Sequence, residues 1–191
     1  PPASGSSAKN GREPPHPQGR QDRHGRHNEQ VLPHSVVHGR PPSDGDGGNG
    51  NGLDDDHNGY VDDIHGWDFM HNDKTIFDNA DNHGTHTAGT IGGKGNNGKG
   101  VIGVAPNVTI ISGKFLEGSG SISDAIRATD YMTDLKTRHG MNVVATSNSW
   151  GWGGGGFVQG MYDAVERARL ADILFIAAAG NSAVDNDVAK F

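Results

Sequence analysis

From residue 107 to residue 181 the apolar pattern switches repeatedly between a strand-like and a helix-like period. That alternation constrains the fold more than any other feature of the chain. "NVTIISGKFL" (107–116) reads as a strand. "SISDAIRATDYMTDLKTRHG" (121–140) reads as a helix, with Ile122, Ala125, Ile126, Met132 and Leu135 at helical spacing, Ser121 opening it and Gly140 closing it. "NVVATSNS" (142–149) is strand-like, and "FVQGMYDAVERARLA" (157–171) is a helix with Met161, Ala164, Val165 and Ala168 on one face. "DILFIAAAGN" (172–181) is a nearly continuous apolar run, which suits a strand buried on both faces. Strand–helix–strand–helix–strand order implies an α/β fold, a parallel sheet with crossover helices. Ligands of such sheets sit beyond the carboxyl ends of the strands. The polar or Gly-rich turns "EGSG" (117–120), "SWGWGGGG" (149–156) and "GN" (180–181) lie at those ends and are expected to converge on one edge.

A chain of 191 residues is one domain or part of a larger one. With 32% apolar residues and 31 Gly, it is expected to be rich in loops. The net charge of −7 argues against nucleic acid as a main partner. There is no Cys, hence no disulfide framework and no thiol chemistry, which fits an exported protein stabilised by ions. No apolar run is long enough to span a bilayer, and no signal peptide is visible. The chain begins with Pro1 rather than Met, so its native N-terminus is expected upstream. Residues 1–43 carry six Lys/Arg against three Asp/Glu, while the remainder carries ten against twenty. Those first residues show neither helical nor strand period and are expected to be disordered. A Gly/Asn/Asp tract follows over 44–63, and the globular pattern begins at residue 64.

Several segments carry residues suited to chemistry. "DNHGTHTAG" (81–89) places His83 and His86 three apart, at the start of a helix whose Gly84, Ala88 and Gly92 form a small-residue stripe. His83 there suits a general base, a metal ligand paired with His86, or a hydrogen-bonded structural residue. Asn181, after the apolar run, suits either an oxyanion donor or a plain turn. "GSG" (118–120) and "SWGWGG" (149–154) offer extended backbone edges for strand addition by a peptide, or simple flexible loops. "DDDHNGYVDD" (54–63) matches the first half of a calcium loop: Asp54, Asp56 and Asn58 alternate, Gly59 turns, and Tyr60 offers a carbonyl. The closing Glu of that pattern is replaced by His65, with Asp62 or Asp63 as substitutes. Carboxylates packed this densely repel one another and call for a cation, or else for full solvation.

Together these segments resemble the subtilisin-like serine proteases (subtilases, peptidase family S8). "DNHGTHTAGTIGG" resembles the family's histidine signature, "GVIGVAP" (100–106) the strand entry that follows, "SNSWG" (147–151) the substrate-pocket segment and "AAAGN" (177–181) the oxyanion segment. "GNGLDDDHNGYVDDIHGWDF" (50–69) is similar to an acidic insertion of calcium-dependent members. The resemblance covers residues 49–191, a partial peptidase domain, and leaves 1–48 as a disordered or non-homologous segment. It implies a three-layer α/β/α fold with a mainly parallel sheet, truncated at both ends, and peptide-bond hydrolysis through an acyl-enzyme. It implies His83 as general base, His86 as a structural neighbour and Asn181 as oxyanion donor. Gly118, Ser119 and Gly120 would flank one side of a bound peptide, and Ser149, Trp150 and Gly151 the other. Trp152 stands where many relatives have a small residue, which would reshape the pocket. "GNNGKGV" (95–101) resembles the family's calcium loop, with Asn97 as a side-chain ligand. The implied setting is a secreted monomer acting on polypeptides, bound to neither membrane nor nucleic acid, with Ca2+ as cofactor.

The chain also departs from the family's pattern. The triad order is Asp, His, Ser, yet no apolar strand carrying D-[ST]-G precedes His83, and Asp44 and Asp46 lie in a polar Gly tract. Neither G-T-S nor G-x-S-x-G occurs before Phe191. A histidine without a hydroxyl to deprotonate makes no acyl-enzyme. The expectation is therefore the middle of an endopeptidase, inactive as an isolated fragment, with an N-terminal 40 or so residues displaced by a reading-frame slip. A calcium-dependent binding or adhesion module with a degenerate protease fold is the alternative, and a His-liganded zinc hydrolase is a third reading.

Overall fold

In the computed structural model, residues 36–37, 50–77, 82–151, 156–181, 183 and 185 are described. Their elements in chain order are β1 (Val36–Val37), β2 (Gly66–Asp68), α1 (His83–Gly92), β3 (Thr109–Ile110), β4 (Ser112–Lys114), β5 (Leu116–Glu117), β6 (Ser119–Gly120), α2 (Ile122–Thr137), β7 (Val143–Asn148), α3 (Gln159–Leu170) and β8 (Leu174–Ala177). The expected β–α–β units are present. β7 and β8 pair in parallel, with Ala145 opposite Leu174 and Asn148 opposite Ala177, and α3 crosses between them. β2 and β4 form a second parallel pair, with Asp68 opposite Lys114.

α2 forms where its spacing predicts. Ser121 accepts from the Asp124 amide as N-cap, worth about 1 kcal/mol. Ala125, Ala128, Met132 and Leu135 are buried, while Ile122 and Ile126 pack on the rim of the same core. α3 contributes Met161, Ala164 and Ala168. The core joins these to Trp67, Phe69, Ile111, Phe115 and Val143.

Three expectations change. The single strand over 107–116 is three short ones, because β3 pairs with β1 and β4 with β2; the chain passes from one sheet to the other at the fully buried Ile111. β8 is not buried on both faces: Leu174 is 64% and Ile176 49% exposed. It ends the strand order β3-β1-β7-β8, and among the described residues nothing pairs with its outer edge. The backbone of Val36–Val37, within the stretch that shows no period, runs antiparallel between β3 and β7, which adds antiparallel pairing to the sheet. The rest of 1–49, including Asp44 and Asp46, lies outside the described residues, as does Trp152.

β2 and β4 are locked by charge and by close approach. A Cβ on Gly66 would fall 1.9 Å from the Ser112 carbonyl oxygen, so only glycine permits this pairing. Asp68 Oδ2 meets Lys114 Nζ at 2.9 Å and His71 Nδ1 at 2.9 Å, and both Asp68 and Lys114 are buried. Burial raises the Asp68 carboxyl, but hydrogen bonds from His71 and Lys114 outweigh it and hold the group below the ordinary range. The same bond to Asp68 holds His71 above its ordinary value.

Removing one partner of a buried ion pair strands the other charge, so Lys114→Met is expected to cost about 3 kcal/mol in urea unfolding. The depressed Asp68 contributes stability that is complete above about pH 3.9 and is lost as pH falls through its lower folded value. The raised His71 contributes stability that is complete below about pH 6.5 and is lost as pH rises through its higher folded value. His71→Ala is expected to remove that alkaline-side loss from a stability–pH profile while keeping the acid limb.

Candidate active site

His83 is the first residue of α1 and is exposed. Gly84 and Ala88 turn the helix's small-residue stripe inward. At Gly92 a Cβ would press on Ile110 and Val108 at 3.0 and 3.2 Å, so the stripe lets α1 lie close to β3. His86 is exposed and one turn along the helix; its carbonyl accepts from Thr90. Among the described residues no group of three His, Asp or Glu gathers in a metal-binding arrangement, around these histidines or elsewhere.

Beside His83 lies a cavity of about 420 Å3. One wall is Phe115, Leu116 and Gly118–Gly120, continuing into Ser121, Ile122 and Ala125 at the start of α2. The other wall is Ser149, Trp150 and Gly151, where the chain leaves β7. The structure thus brings together His83, Gly118, Ser119, Gly120, Ser149, Trp150 and Gly151, the residues named from sequence. Among the described residues that line the cavity, His83 is the one ionisable side chain. The first wall is a tight antiparallel hairpin, Glu117 opposite Ser119, turning at Gly118 with φ +71°. A Cβ on Gly120 would stand 2.4 Å from the Phe115 carbonyl oxygen, so the hairpin folds back directly against β5.

Trp150 gives the second wall its shape. Its Nε1 donates to Asn148 Oδ1 at 3.2 Å, and its ring meets Phe115 edge-on at 5.1 Å and Phe175 at 6.4 Å. Asn148 is buried, its amide donating to Thr146 and to the Ile176 carbonyl. Behind Trp150 is a second, apolar cavity of about 490 Å3, walled by Phe157, Met161, Tyr162 and Phe175. Neither it nor the roles of Phe115, Ile122 and Ala125 was read from sequence; the signal was available in the apolar residues that flank "EGSG" on both sides.

Asn181 is exposed and follows Gly180, whose φ is +82°. It leaves β8 at the edge where Ser149 leaves β7, since the Ala178 amide donates to the Asn148 carbonyl. It is not among the residues that line the His83 cavity.

The acidic loop lies apart from this cavity and closes on itself. Asp54 accepts from the Asn58 and Gly59 amides, Asp56 from the Asn58 amide, and the Asn58 carbonyl oxygen of the side chain from the Tyr60 amide. Asp62 turns away to Lys74 Nζ at 2.6 Å and the Gly52 amide. Asp63 is fully buried; its Oδ2 accepts from Tyr131 and from the Asn58 amide group. Burial pushes the Asp63 and Asp56 carboxyls up. Asn97 sits in the separate exposed loop after α1, its Oδ1 accepting from the Lys99 amide.

The close approach at Gly120 predicts a measurable cost. Gly120→Ala is expected to destabilise the protein by about 1–3 kcal/mol in urea unfolding, as overpacking does.

The family described as "Subtilase family" (Peptidase_S8) matches residues 15–190. Among similar proteins, "Subtilisin-like protease 1" of Plasmodium vivax is 34% identical over 147 residues, covering 73% of this chain and 22% of that protein. "Subtilisin-like protease 2" of Plasmodium falciparum is 37% identical over 115 residues, covering 57% and 8%. "Subtilisin-like protease 3" of Arthroderma benhamiae is 41% identical over 118 residues, covering 59% and 27%. The chain spans at most about a quarter of the length of these relatives.

Proposed function

The chain belongs to the subtilase family, with its three-layer α/β/α fold, and on that premise we propose that it is the part of a serine endopeptidase that grips the peptide and supplies the general base. The observation that carries this reading is the shared cavity of His83, Gly118–Gly120 and Ser149–Gly151. A peptide laid between the hairpin and the strand leaving β7 would add as an extended strand, its backbone bonding to both walls. His83 at the rim would take the proton from the attacking hydroxyl and return it to the leaving amine. Asn181, one strand over at the same edge, would donate to the oxyanion. The apolar wall of Phe115, Leu116, Ile122 and Trp150 favours substrates with large apolar side chains. The same reading makes the protein an exported monomer with no nucleic-acid partner; among the described residues, no helix is long and apolar enough to cross a membrane.

Calcium at the acidic loop is proposed on the density of its carboxylates and on the family resemblance, with Asp54, Asp56, Asn58, Tyr60 and Asp63 as the ligands it would take; among the described residues they do not gather around a common point, Asp62 is turned toward Lys74, and Asn97 sits in a separate loop. When bound, the ion would neutralise the loop's carboxylates and fix its shape; it takes no part in the bond-breaking step.

Substitution of His83 by Ala in the full-length protein tests the catalytic reading. Peptide hydrolysis is expected to fall on the order of the 10⁶-fold known for loss of a triad histidine in this family. Asn181→Ala is expected to cost about the 10²–10³-fold known for its oxyanion asparagine. Undiminished hydrolysis in His83→Ala overturns the assignment. Peptide capture with no turnover in the unsubstituted full-length protein favours a calcium-dependent binding module instead.

A further inference from the structure

Two cavities meet at one side chain. Trp150 and Gly151 line both the cavity of about 420 Å3 beside His83 and the apolar cavity of about 490 Å3 behind it. The half-buried Trp150 ring is the partition. It meets Phe115, in the wall of the first cavity, edge-on at 5.1 Å, and Phe175, in the wall of the second, edge-on at 6.4 Å. Aromatic contact is thus available on either side, so packing alone does not fix which way the ring leans.

A polar bond fixes it. Trp150 Nε1 donates to Asn148 Oδ1 at 3.2 Å. Asn148 is the last residue of β7, and the two-residue period of a strand puts it on the same face as Thr146, both of them buried. Its amide nitrogen is itself committed: Nδ2 donates to Thr146 Oγ1 at 2.9 Å, to the Thr146 carbonyl at 3.2 Å and to the Ile176 carbonyl at 3.3 Å. With the nitrogen turned to those acceptors, the oxygen is left aimed at the indole.

We propose that Asn148 is a specificity-determining positioning residue: its side-chain oxygen latches the Trp150 indole as the partition between the two cavities, and so limits the apolar side chain that the His83 cavity admits. Resting on the peptidase reading of that cavity, this assigns its width to a residue outside its lining. The second cavity is in the size range of pockets that hold small molecules, so it has room for the ring. Released from Asn148, the indole leans into that space, the wall recedes from Phe115, and the cleft accepts a larger side chain. Asn148 touches no substrate; it acts through Trp150.

The test measures kcat and KM of the full-length protein on peptides that carry Val or Trp at each position before the scissile bond. Two variants break the same bond from opposite ends. Asn148→Leu removes the acceptor, along with the bonds to Thr146 and Ile176. Replacing Trp150 by benzothienylalanine puts sulfur in place of the N–H, keeps the shape of the ring and leaves the other Asn148 bonds in place. Each is expected to raise the preference for Trp over Val about 5-fold at one position, the order of one neutral hydrogen bond, through KM rather than kcat. The two changes together are expected to shift it no further than either alone. An unchanged preference in the benzothienylalanine protein, or shifts that add in the double variant, overturns the latch while the peptidase reading stands; the first of these readouts holds even if Asn148→Leu does not fold. If the unsubstituted full-length protein hydrolyses no peptide, the peptidase reading falls and the latch with it.

Discussion

Parallel pairing of β7 with β8 is the constraint on which the rest of the site depends. With Asn148 opposite Ala177, both chains leave the sheet at one edge, and the Ala178 amide extends the ladder by bonding to Asn148. A one-residue slip would exchange the faces of every side chain on β8 and carry the Trp150 wall out of register with Phe175. The Asn148 amide's bond to the Ile176 carbonyl resists that slip, because a shifted strand would leave it unmade. β2 and β4 repeat the device. Asp68 opposite Lys114 pins their register by charge, which puts Phe115 beside Trp150 and brings Phe69 under Arg127 of α2.

The His83 cavity and the acidic loop differ in their lining. The cavity beside His83 is lined by apolar side chains, hydroxyls and glycine backbone, with the exposed His83 at its rim. The carboxylates of the acidic loop are held by backbone amides, a lysine or a phenol. Their compensation differs: the ion pairs of Asp62 and Asp68 are internal to the chain, whereas Asp63 has only dipoles.

Two glycines, one in the cleft and one beneath it in β2, are steric requirements. Gly120 lies where any side chain would strike the Phe115 carbonyl, and Gly66 where it would strike Ser112. In both places two backbones touch, once to fold the hairpin against β5 and once to seat β2 on β4. The high glycine content, which suggested looseness, is at these positions a condition of close packing.

That reversal shows where the sequence was readable. Helical period exposed α2 and α3 because their buried positions recur at 3.6 residues, and Met132, Leu135, Met161 and Ala168 are inside as their spacing demands. The convergence of "EGSG" and "SWG" on His83 followed from topology alone, since parallel strands joined by crossover helices leave no other edge for the loops. Strand boundaries were hidden: "NVTIISGKFL" reads as one strand, and nothing local marks Ile111 as the point where the chain changes partners. A strand of two residues such as Val36–Val37 has no period to detect. The partners of the buried charges were hidden for a different reason. Lys114 meets Asp68 and Tyr131 meets Asp63 across long stretches of chain, and periodicity reports only what neighbours within one element share. Asp54, Asp56 and Asn58 were legible because their loop is local; the helix residue that steadies their neighbour was not, because it acts from sixty-eight positions away.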